Sequence, residues 1–365
     1  MRTIRVHLPE QRAYDILIGN GLLGSVASLL ESRIEARHVA VVTDEHLAES
    51  YGAPLRDSLR NAGWRAELVV LPAGEETKTL ETLEKLYESF LDAGLDRTGA
   101  VLALGGGVVG DTAGFAASTY KRGVDLVQLP TTLLAQVDSS IGGKVAVNLR
   151  RGKNLVGAFH QPRAVVADVA ALETLPEGEL AAGMAEVVKY AIIMDRPLFE
   201  ELEQRNLATL KADDTLTEEI VTRCAAIKAK VVAADEKESG LRAILNCGHT
   251  FAHAIETVSR YRKLSHGEAV AVGLVAAARL AERLGVAQEP VSERVERLLP
   301  RYSLPVALRL DTAKPVPSKE LLEAMSHDKK VRDGKLRFIL PVRIGEVRIV
   351  SDVREEDIAG VLQAL

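Results

Sequence analysis

The first half of the chain alternates short runs of aliphatic and β-branched residues with segments of helical hydrophobic spacing. Four such runs cover residues 39–43, 66–71, 100–104 and 124–129. Strands that alternate with helices along a chain form a mostly parallel sheet covered by helices. The pattern therefore predicts an α/β domain with a Rossmann-like sheet.

The second half, from about residue 174, changes to long amphipathic or apolar helical segments. Thr174-Leu-Pro-Glu177 has the spacing of a capping box with proline in the first turn, which predicts a helix start. The longest apolar run, residues 269–278, is too short to span a bilayer and predicts a buried helix. Residues 336–340 and 346–350 predict a hairpin joined by a turn that contains Pro and Gly.

A chain of 365 residues exceeds the size at which one hydrophobic core stops growing, so two domains are expected. We assign residues 1–172 to the α/β domain and residues 173–365 to a mainly α-helical domain. The 47% hydrophobic and 27% charged residues indicate a folded globular protein.

The net charge of -5 gives no overall attraction to phosphate backbones or anionic lipid, which argues against nucleic-acid and membrane partners. An anionic ligand must therefore be held by a local cluster of cations. The two cysteines, Cys224 and Cys247, are too few for a disulfide framework, and no signal-like apolar stretch follows Met1. A cytoplasmic location is expected.

A glycine loop follows the run that ends at Leu104. The sequence Gly105-Gly-Gly-Val-Val-Gly-Asp111 has the GxGxxG spacing, which suits the approach of a pyrophosphate to a helix N-terminus, although a tight βα turn explains it equally well. Asp44 ends the first of the four runs, where its carboxylate could bind a ribose diol or cap a helix. Gly74-Glu-Glu-Thr-Lys78 predicts another helix start and a possible nucleotide contact.

Cations interleaved with Gly and Asn extend from Lys121 to Lys153. They suit a phosphate ligand, and an ordinary solvated loop is the alternative. In the helical half, Glu186 and Lys189 lie three apart in an apolar stretch, which indicates an internal ion pair or a metal ligand with a neighbouring amine. His249 and His253 share the spacing of a zinc-binding pair, and His266 follows.

Six motifs together resemble the 3-dehydroquinate synthase family over nearly the whole chain, in order and spacing. They are the glycine loop above, Asp138-Ser-Ser-Ile-Gly-Gly-Lys144, Gly152-Lys-Asn-Leu-Val-Gly-Ala-Phe-His-Gln-Pro162, Ala185-Glu-Val-Val-Lys-Tyr190, Asn246-Cys-Gly-His-Thr250 and His266-Gly-Glu-Ala269. Two positions depart from the family pattern, Cys247 and Ala252, and we expect both to affect packing more than chemistry.

The resemblance implies three sets of site residues. The divalent metal ion, Zn²⁺ or Co²⁺, would be bound by Glu186, His249 and His266, which replaces the His249–His253 pair suggested by spacing. The NAD site would comprise Asp44, Gly74, Glu75, Lys78, Gly106, Gly107, Val108, Val109, Gly110, Asp111, Thr131, Thr132, Asp138, Lys144, Lys153, Leu172, Glu173 and Thr174. Substrate binding and catalysis would use Arg122, Lys144, Lys153, Asn154, Lys189, Lys228, Arg242, Asn246, His253 and Lys330.

The resemblance also implies an activity. The substrate would be 3-deoxy-D-arabino-heptulosonate 7-phosphate, and the product 3-dehydroquinate, formed in the shikimate pathway by transient oxidation with NAD, phosphate elimination, re-reduction, ring opening and aldol closure. A homodimer and an active site in the cleft between the two domains are implied as well.

Three alternatives stay open at this stage. A sister sugar phosphate cyclase would act on sedoheptulose 7-phosphate or glucose 6-phosphate, which lack the carboxylate that Lys228, Arg242 and Asn246 would bind. A metal-dependent polyol dehydrogenase usually continues its glycine loop into Asp-x-Ala-Lys, whereas this chain has Asp111-Thr-Ala-Gly114. A catalytically silent NAD-binding regulator would be expected to have lost one or more of the proposed metal ligands.

Overall fold

The computed structural model describes residues 1–9, 12–259, 264–308, 318–326 and 336–365. Its strands are β1 (Arg2–His7), β2 (Ala13–Gly19), β3 (His38–Asp44), β4 (Arg65–Leu71), β5 (Ala100–Gly105), β6 (Asp125–Pro130), β7 (Lys144–Leu149), β8 (Gly152–Phe159), β9 (Ala164–Asp168), β10 (Arg337–Arg343) and β11 (Glu346–Ser351).

The α-helices of the described residues are α1 (Val26–Leu30), α2 (Ala53–Asn61), α3 (Leu80–Asp92), α4 (Gly107–Thr119), α5 (Glu177–Met194), α6 (Arg196–Glu203), α7 (Leu207–Ala212), α8 (Asp214–Ala234), α9 (His249–Val258), α10 (His266–Arg283), α11 (Val291–Leu298), α12 (Ser318–Ser326) and α13 (Glu355–Leu362). None of the helices in this part of the chain is long and apolar enough to cross a membrane.

A seven-stranded sheet forms the centre of the first half, with strand order β1-β2-β9-β6-β5-β3-β4. All its pairings are parallel except that of β1 with β2. Consecutive residues of β3 enter different apolar clusters: Val39 and Val41 pack in one, and Ala40 and Val42 in the other. Because successive side chains point to opposite faces, a strand buried on both faces is a continuous apolar run.

The four predicted strands are present as β3, β4, β5 and β6, and the predicted α/β fold with a mostly parallel sheet is confirmed. The segment from 144 to 159, predicted only as a binding loop, forms the antiparallel hairpin β7–β8. Strands β1, β2 and β9 were not predicted.

Two local predictions, a helix start near Thr174 and a hairpin near the end of the chain, are confirmed but are each wrong in one detail. Helix α5 begins at Glu177 with Pro176 at the N-cap and no side-chain cap, so Thr174 does not form a capping box. The Thr174 hydroxyl donates instead to the Ala171 carbonyl and lies 3.0 Å from the Tyr51 hydroxyl. The hairpin β10–β11 is present, but Pro341 lies within β10, and the turn contains only Gly345 of the two expected turn residues.

The chain divides into two compact units. The first comprises residues 1–175 and 214–237, and the second comprises residues 176–213 and 238–365. Helix α8 therefore belongs to the first unit, where it packs against β1 and the segment Ala135–Ser139. In the second unit, α10 packs against α5, α9, α11 and β10. The predicted division into domains at residues 172 and 173 stays a prediction.

Candidate active site

Three side chains of the second unit converge on one point. Glu186, His249 and His266 each offer one ligand atom, and these atoms all lie within 4.8 Å of one another. The Nε2 atoms of His249 and His266 lie 3.4 and 3.6 Å from Glu186 Oε1. Two imidazoles and one carboxylate match open catalytic zinc sites, which use three protein ligands. The donor set thus fits a divalent metal ion such as Zn²⁺ or Co²⁺.

Close backbone contacts bring the three helices of this cluster together. A Cβ on Gly267, the residue after His266, would lie 2.3 Å from the Ala182 backbone of α5. A Cβ on Gly273 would lie 2.3 Å from the carbonyl oxygen of Gly248, the residue before His249. Only glycine at 267 and 273 permits these approaches, which hold α10 against α5 and against the start of α9.

The cluster is strongly polarised. Glu186 and Lys189 are each 1% exposed, and the Lys189 ammonium forms an ion pair with Glu186 Oε2. Burial alone would raise the pKa of the Glu186 carboxyl, but Lys189 and His249 outweigh it and hold that pKa well below its ordinary value. Against desolvation, which would lower it, the carboxylates of Glu186 and Glu256 raise the pKa of His266 to about 10.

The other predicted residues of the second unit lie on α9 and just before it. The His253 ring lies edge-on to that of His249, with centroids 5.8 Å apart. Arg242 is 2% exposed, and Asn246 donates to Glu238 at 2.7 Å. Cys247 and Ala252 are fully buried, as expected for packing positions, and burial raises the pKa of the Cys247 thiol to about 12. Lys330 lies outside the described residues.

In the first unit, the predicted cofactor residues follow the carboxyl ends of neighbouring strands. Asp44 ends β3, Gly106 follows β5, and Thr131 follows β6. Because β5 lies between β6 and β3, these ends are adjacent, and open α/β sheets bind ligands at such a point. Asp44 also accepts hydrogen bonds from the amides of His46 and Leu47, so the turn-capping geometry is present too.

The start of α4 fits a dinucleotide pyrophosphate. Gly106 is its N-cap, without a side-chain cap, and α4 begins at Gly107. A Cβ on Gly107 would lie 3.2 Å from Ser139 Oγ, a buried hydroxyl with no hydrogen-bond partner among the described residues. Glycine therefore keeps backbone amides accessible beside this hydroxyl. Both features suit a phosphate group at a helix N-terminus.

Lys78 links the glycine loop to the β7–β8 hairpin. It is 4% exposed, and its ammonium donates to Asp111 Oδ2 and Asn154 Oδ1, both at 2.6 Å. Burial raises the pKa of the Asp111 carboxyl, and the Lys78 ammonium opposes that shift. The segment that contains Lys78 leads into a helix, as expected. A short 3₁₀ turn (Glu75–Thr77) comes first, Lys78 follows it, and Thr79 caps α3.

A residue that is not among the predicted site residues holds this hairpin in place. Asn148 donates from its side chain to Glu75 Oε1 at 2.7 Å and accepts from the Asn154 amide at 2.9 Å. Its own amide donates to the Lys78 carbonyl at 2.8 Å. Asn154 has a φ of 54°, so the hydrogen bond that its amide donates to Asn148 supports a left-handed backbone. Asn148 belongs to the Gly- and Asn-containing segment that suits a phosphate, but the sequence does not show these contacts, because its partners come from other segments or follow a turn.

The remaining predicted residues of the first unit are more dispersed. Lys228 is buried and pairs with Asp138, donating to the Asp138 carbonyl at 2.6 Å and lying 3.0 Å from its carboxylate. Lys153 lies 3.9 Å from Glu75. Lys144 is the first residue of β7, Arg122 lies in an exposed turn, and Gly74 precedes the 3₁₀ turn. The first turn of α4 contains Val108, Val109 and Gly110. Thr132 follows Thr131 after β6, and the segment after β9 contains Leu172, Glu173 and Thr174.

The chain combines a glycine loop that suits a phosphate group with a Glu-His-His cluster that suits a metal ion. This combination defines a class of enzymes that use a nucleotide cofactor and a metal ion, and sugar phosphate cyclases belong to it. A 2-deoxy-scyllo-inosose synthase solved with carbaglucose-6-phosphate, NAD⁺ and Co²⁺ has a TM-score of 0.87 and 30% identity, covering 100% of this chain and 99% of that one. A 2-epi-5-epi-valiolone synthase from Streptomyces hygroscopicus, solved with NAD⁺ and Zn²⁺, has a TM-score of 0.87 and 30% identity over 99% of both chains.

The family is more specific than this class. The family models for the 3-dehydroquinate synthase N-terminal and C-terminal regions match residues 68–182 and 183–331. The 3-dehydroquinate synthase of Desulforamulus reducens is 48% identical over 362 residues, which is 99% of both chains. The chain belongs to the 3-dehydroquinate synthase family.

Proposed function

We propose that this chain converts 3-deoxy-D-arabino-heptulosonate 7-phosphate to 3-dehydroquinate and inorganic phosphate, as a carbon–oxygen lyase of the shikimate pathway. NAD and one divalent ion, Zn²⁺ or Co²⁺, would be its cofactors. The observation that carries the proposal is the Glu186–His249–His266 cluster with Lys189 on the same carboxylate, in a chain of this family. When bound, the ion would acidify a substrate hydroxyl, and NAD would accept a hydride and later return it.

The chain's own residues would bind and orient the two charged ends of the substrate. Lys144 and Lys153, on the β7–β8 hairpin, reach solvent, whereas Lys78 is buried against Asp111 and Asn154. We assign the substrate phosphate to Lys144 and Lys153, with Asn154 beside them. Lys78 stays assigned to the NAD site and also holds the hairpin through Asn154. Clustered cations also stabilise the charge of a departing phosphate.

The substrate carboxylate would be bound by Arg242, whose planar guanidinium suits bidentate recognition. Asn246 and Lys228 are assigned to the same substrate, and His253 to proton handling beside the metal ligand His249. Sister cyclases act on sugars without this carboxylate, so Arg242 supports the dianionic substrate. Asp111-Thr-Ala-Gly114 and the array of cations argue against a polyol dehydrogenase.

The proposal includes a cytoplasmic location and a homodimer. Cys224 and Cys247 are both buried, and two cysteines are too few for a disulfide framework, which supports a reducing compartment. The homodimer is supported by the family resemblance, and analytical ultracentrifugation of the purified chain tests it.

Turnover with substoichiometric NAD tests the reaction. The metal-loaded protein is incubated with 3-deoxy-D-arabino-heptulosonate 7-phosphate, and phosphate and 3-dehydroquinate are followed beside a chelator-treated control. Both products should exceed the NAD supplied, because NAD is regenerated at each turnover, and chelation should abolish them. Turnover of sedoheptulose 7-phosphate or glucose 6-phosphate instead would assign the chain to a sister activity, and silence with every substrate would overturn the enzyme assignment.

A further inference from the structure

A buried carboxylate outside the predicted site set lies against one of the proposed metal ligands. Glu256, on the last turn of α9, is 5% exposed, and its Oε1 atom lies 3.2 Å from Nδ1 of His266. A buried carboxylate is unfavourable unless hydrogen bonds or opposite charge compensate for its lost hydration. The contact with His266 supplies part of this compensation.

The two histidines of the cluster are held in the same way. Each directs Nε2 toward Glu186 Oε1, and each has its Nδ1 beside an oxygen acceptor. For His249 the acceptor is the Cys247 carbonyl oxygen, at 3.1 Å, and for His266 it is Glu256. A proton on Nδ1 leaves the Nε2 lone pair to bind a metal ion, so both rings have the orientation that ligation needs.

The two acceptors differ in charge, because Glu256 offers a carboxylate to His266, whereas Cys247 offers a neutral carbonyl oxygen to His249. We propose that Glu256 is a positioning residue of the metal centre: its carboxylate orients the His266 ring and makes the imidazole a stronger metal ligand. The inference rests on the proposed function, because it takes Glu186, His249 and His266 as the ligands. Groups of this kind typically change metal affinity by about 10- to 100-fold.

The start of α10 does not depend on Glu256. Ser265 and Glu268 form a capping box there, in which the Ser265 amide donates to Glu268 Oε2 at 2.7 Å and the Glu268 amide donates to Ser265 Oγ at 3.3 Å. The helix that carries His266 therefore has its own stabilising contacts. Glu268 provides a matched control. It is a glutamate on the same helical turn as His266, but it contacts the backbone instead of the imidazole.

Metal affinity tests the inference without any turnover. The protein is stripped of metal, and dissociation constants for Zn²⁺ and Co²⁺ are measured by competition with a chromophoric chelator, together with the visible spectrum of bound Co²⁺. The variants are Glu256→Gln, which keeps an acceptor and removes the charge, Glu256→Ala, which removes both, and Glu268→Gln. Circular dichroism checks that each variant is folded.

We expect Glu256→Gln to weaken metal binding by about tenfold, Glu256→Ala to weaken it further and shift the Co²⁺ spectrum, and Glu268→Gln to leave both unchanged. Wild-type affinity and an unchanged spectrum in both Glu256 variants would overturn the positioning role while leaving the ligands in place. An equal loss in Glu268→Gln would also overturn it, since the effect would then come from the helix start. A wild-type chain that binds neither ion would overturn the ligand assignment and, with it, this inference.

Discussion

Lys189 and Glu186 form a buried ion pair one helical turn apart. The other oxygen of the same carboxylate faces the imidazoles of His249 and His266. One carboxylate thus has a fixed cation on one side and, on the other, the proposed position of a metal ion. The pair explains how an acidic side chain remains charged inside an apolar helix.

Replacing Lys189 by Met should destabilise the metal-stripped protein more than the metal-loaded protein. Without the ammonium the buried Glu186 charge lacks its nearest compensation, and removing one partner of a buried pair typically reduces stability by about 3 to 5 kcal/mol. A bound divalent ion would compensate for part of this. Urea unfolding with chelator and with Zn²⁺ measures both values.

The matched control for Lys189 is Lys211→Met, which removes an exposed ammonium 3.7 Å from Glu177 in the same unit. It should change stability by less than about 1 kcal/mol. A Lys189→Met loss that is the same with and without Zn²⁺ would contradict the idea that the metal ion and Lys189 share one carboxylate.

A methyl group at position 107 should weaken cofactor binding with little effect on folding. The added Cβ would contact Ser139 Oγ at 3.2 Å and occupy the space beside the first amides of α4. We expect Gly107→Ala to raise the dissociation constant for NADH about tenfold, as typical of a small steric intrusion. Fluorescence titration measures it, and Gly24→Ala, where no atom lies within 4 Å of the new Cβ, should bind NADH as the wild type does.

Much of the sheet could be predicted because its central strands are buried on both faces. Strands β3 and β5 are therefore unbroken apolar runs. Strand β1 alternates with exposed polar residues, and the β7–β8 hairpin is rich in Gly, Lys and Asn, so neither has that signal.

The candidate site was predictable only in part, because local spacing does not show which segments tertiary packing brings together. Residue types and spacing suggested the pair His249 and His253, whereas tertiary packing groups His249 with His266 and Glu186. Contacts between distant segments, such as that of Glu256 with His266, leave no trace in local spacing. The resemblance supplied the ligand set, and the packing of glycines 267 and 273 supplies its physical basis.

Truncating Asn148 should weaken substrate binding through the hairpin. The Asn148→Ala variant loses the side-chain bonds to Glu75 and to the Asn154 amide, each worth about 0.5 to 1.5 kcal/mol, so the KM for the sugar phosphate should rise about tenfold. Asn148→Asp should be worse, because a second carboxylate would face Glu75. Steady-state kinetics measures both, with Asn61→Ala, at an exposed position, as control. Unchanged KM in both variants would contradict the positioning of Asn154 by Asn148.

His160 should make the protein less stable as the pH falls below about 6.5, the ordinary histidine pKa. Its Nε2 lies 2.9 Å from the Val124 carbonyl oxygen, and burial lowers the pKa of the ring. Below about pH 6.5 the unfolded chain therefore binds a proton that the folded chain does not, so stability is lost as the pH falls toward the lower folded pKa.

The variant His160→Gln keeps an N–H donor but cannot take up a proton, so its stability should fall less between pH 7.5 and pH 5.5, by up to about 1 kcal/mol, since the window reaches only one unit below the unfolded pKa. Urea unfolding across this range, with chelator present so that metal binding adds no pH dependence, measures the difference. His46→Gln, at an exposed position, is the control and should follow the wild-type curve. If His160→Gln loses as much stability as the wild type on acidification, the buried ring is not the source of the dependence.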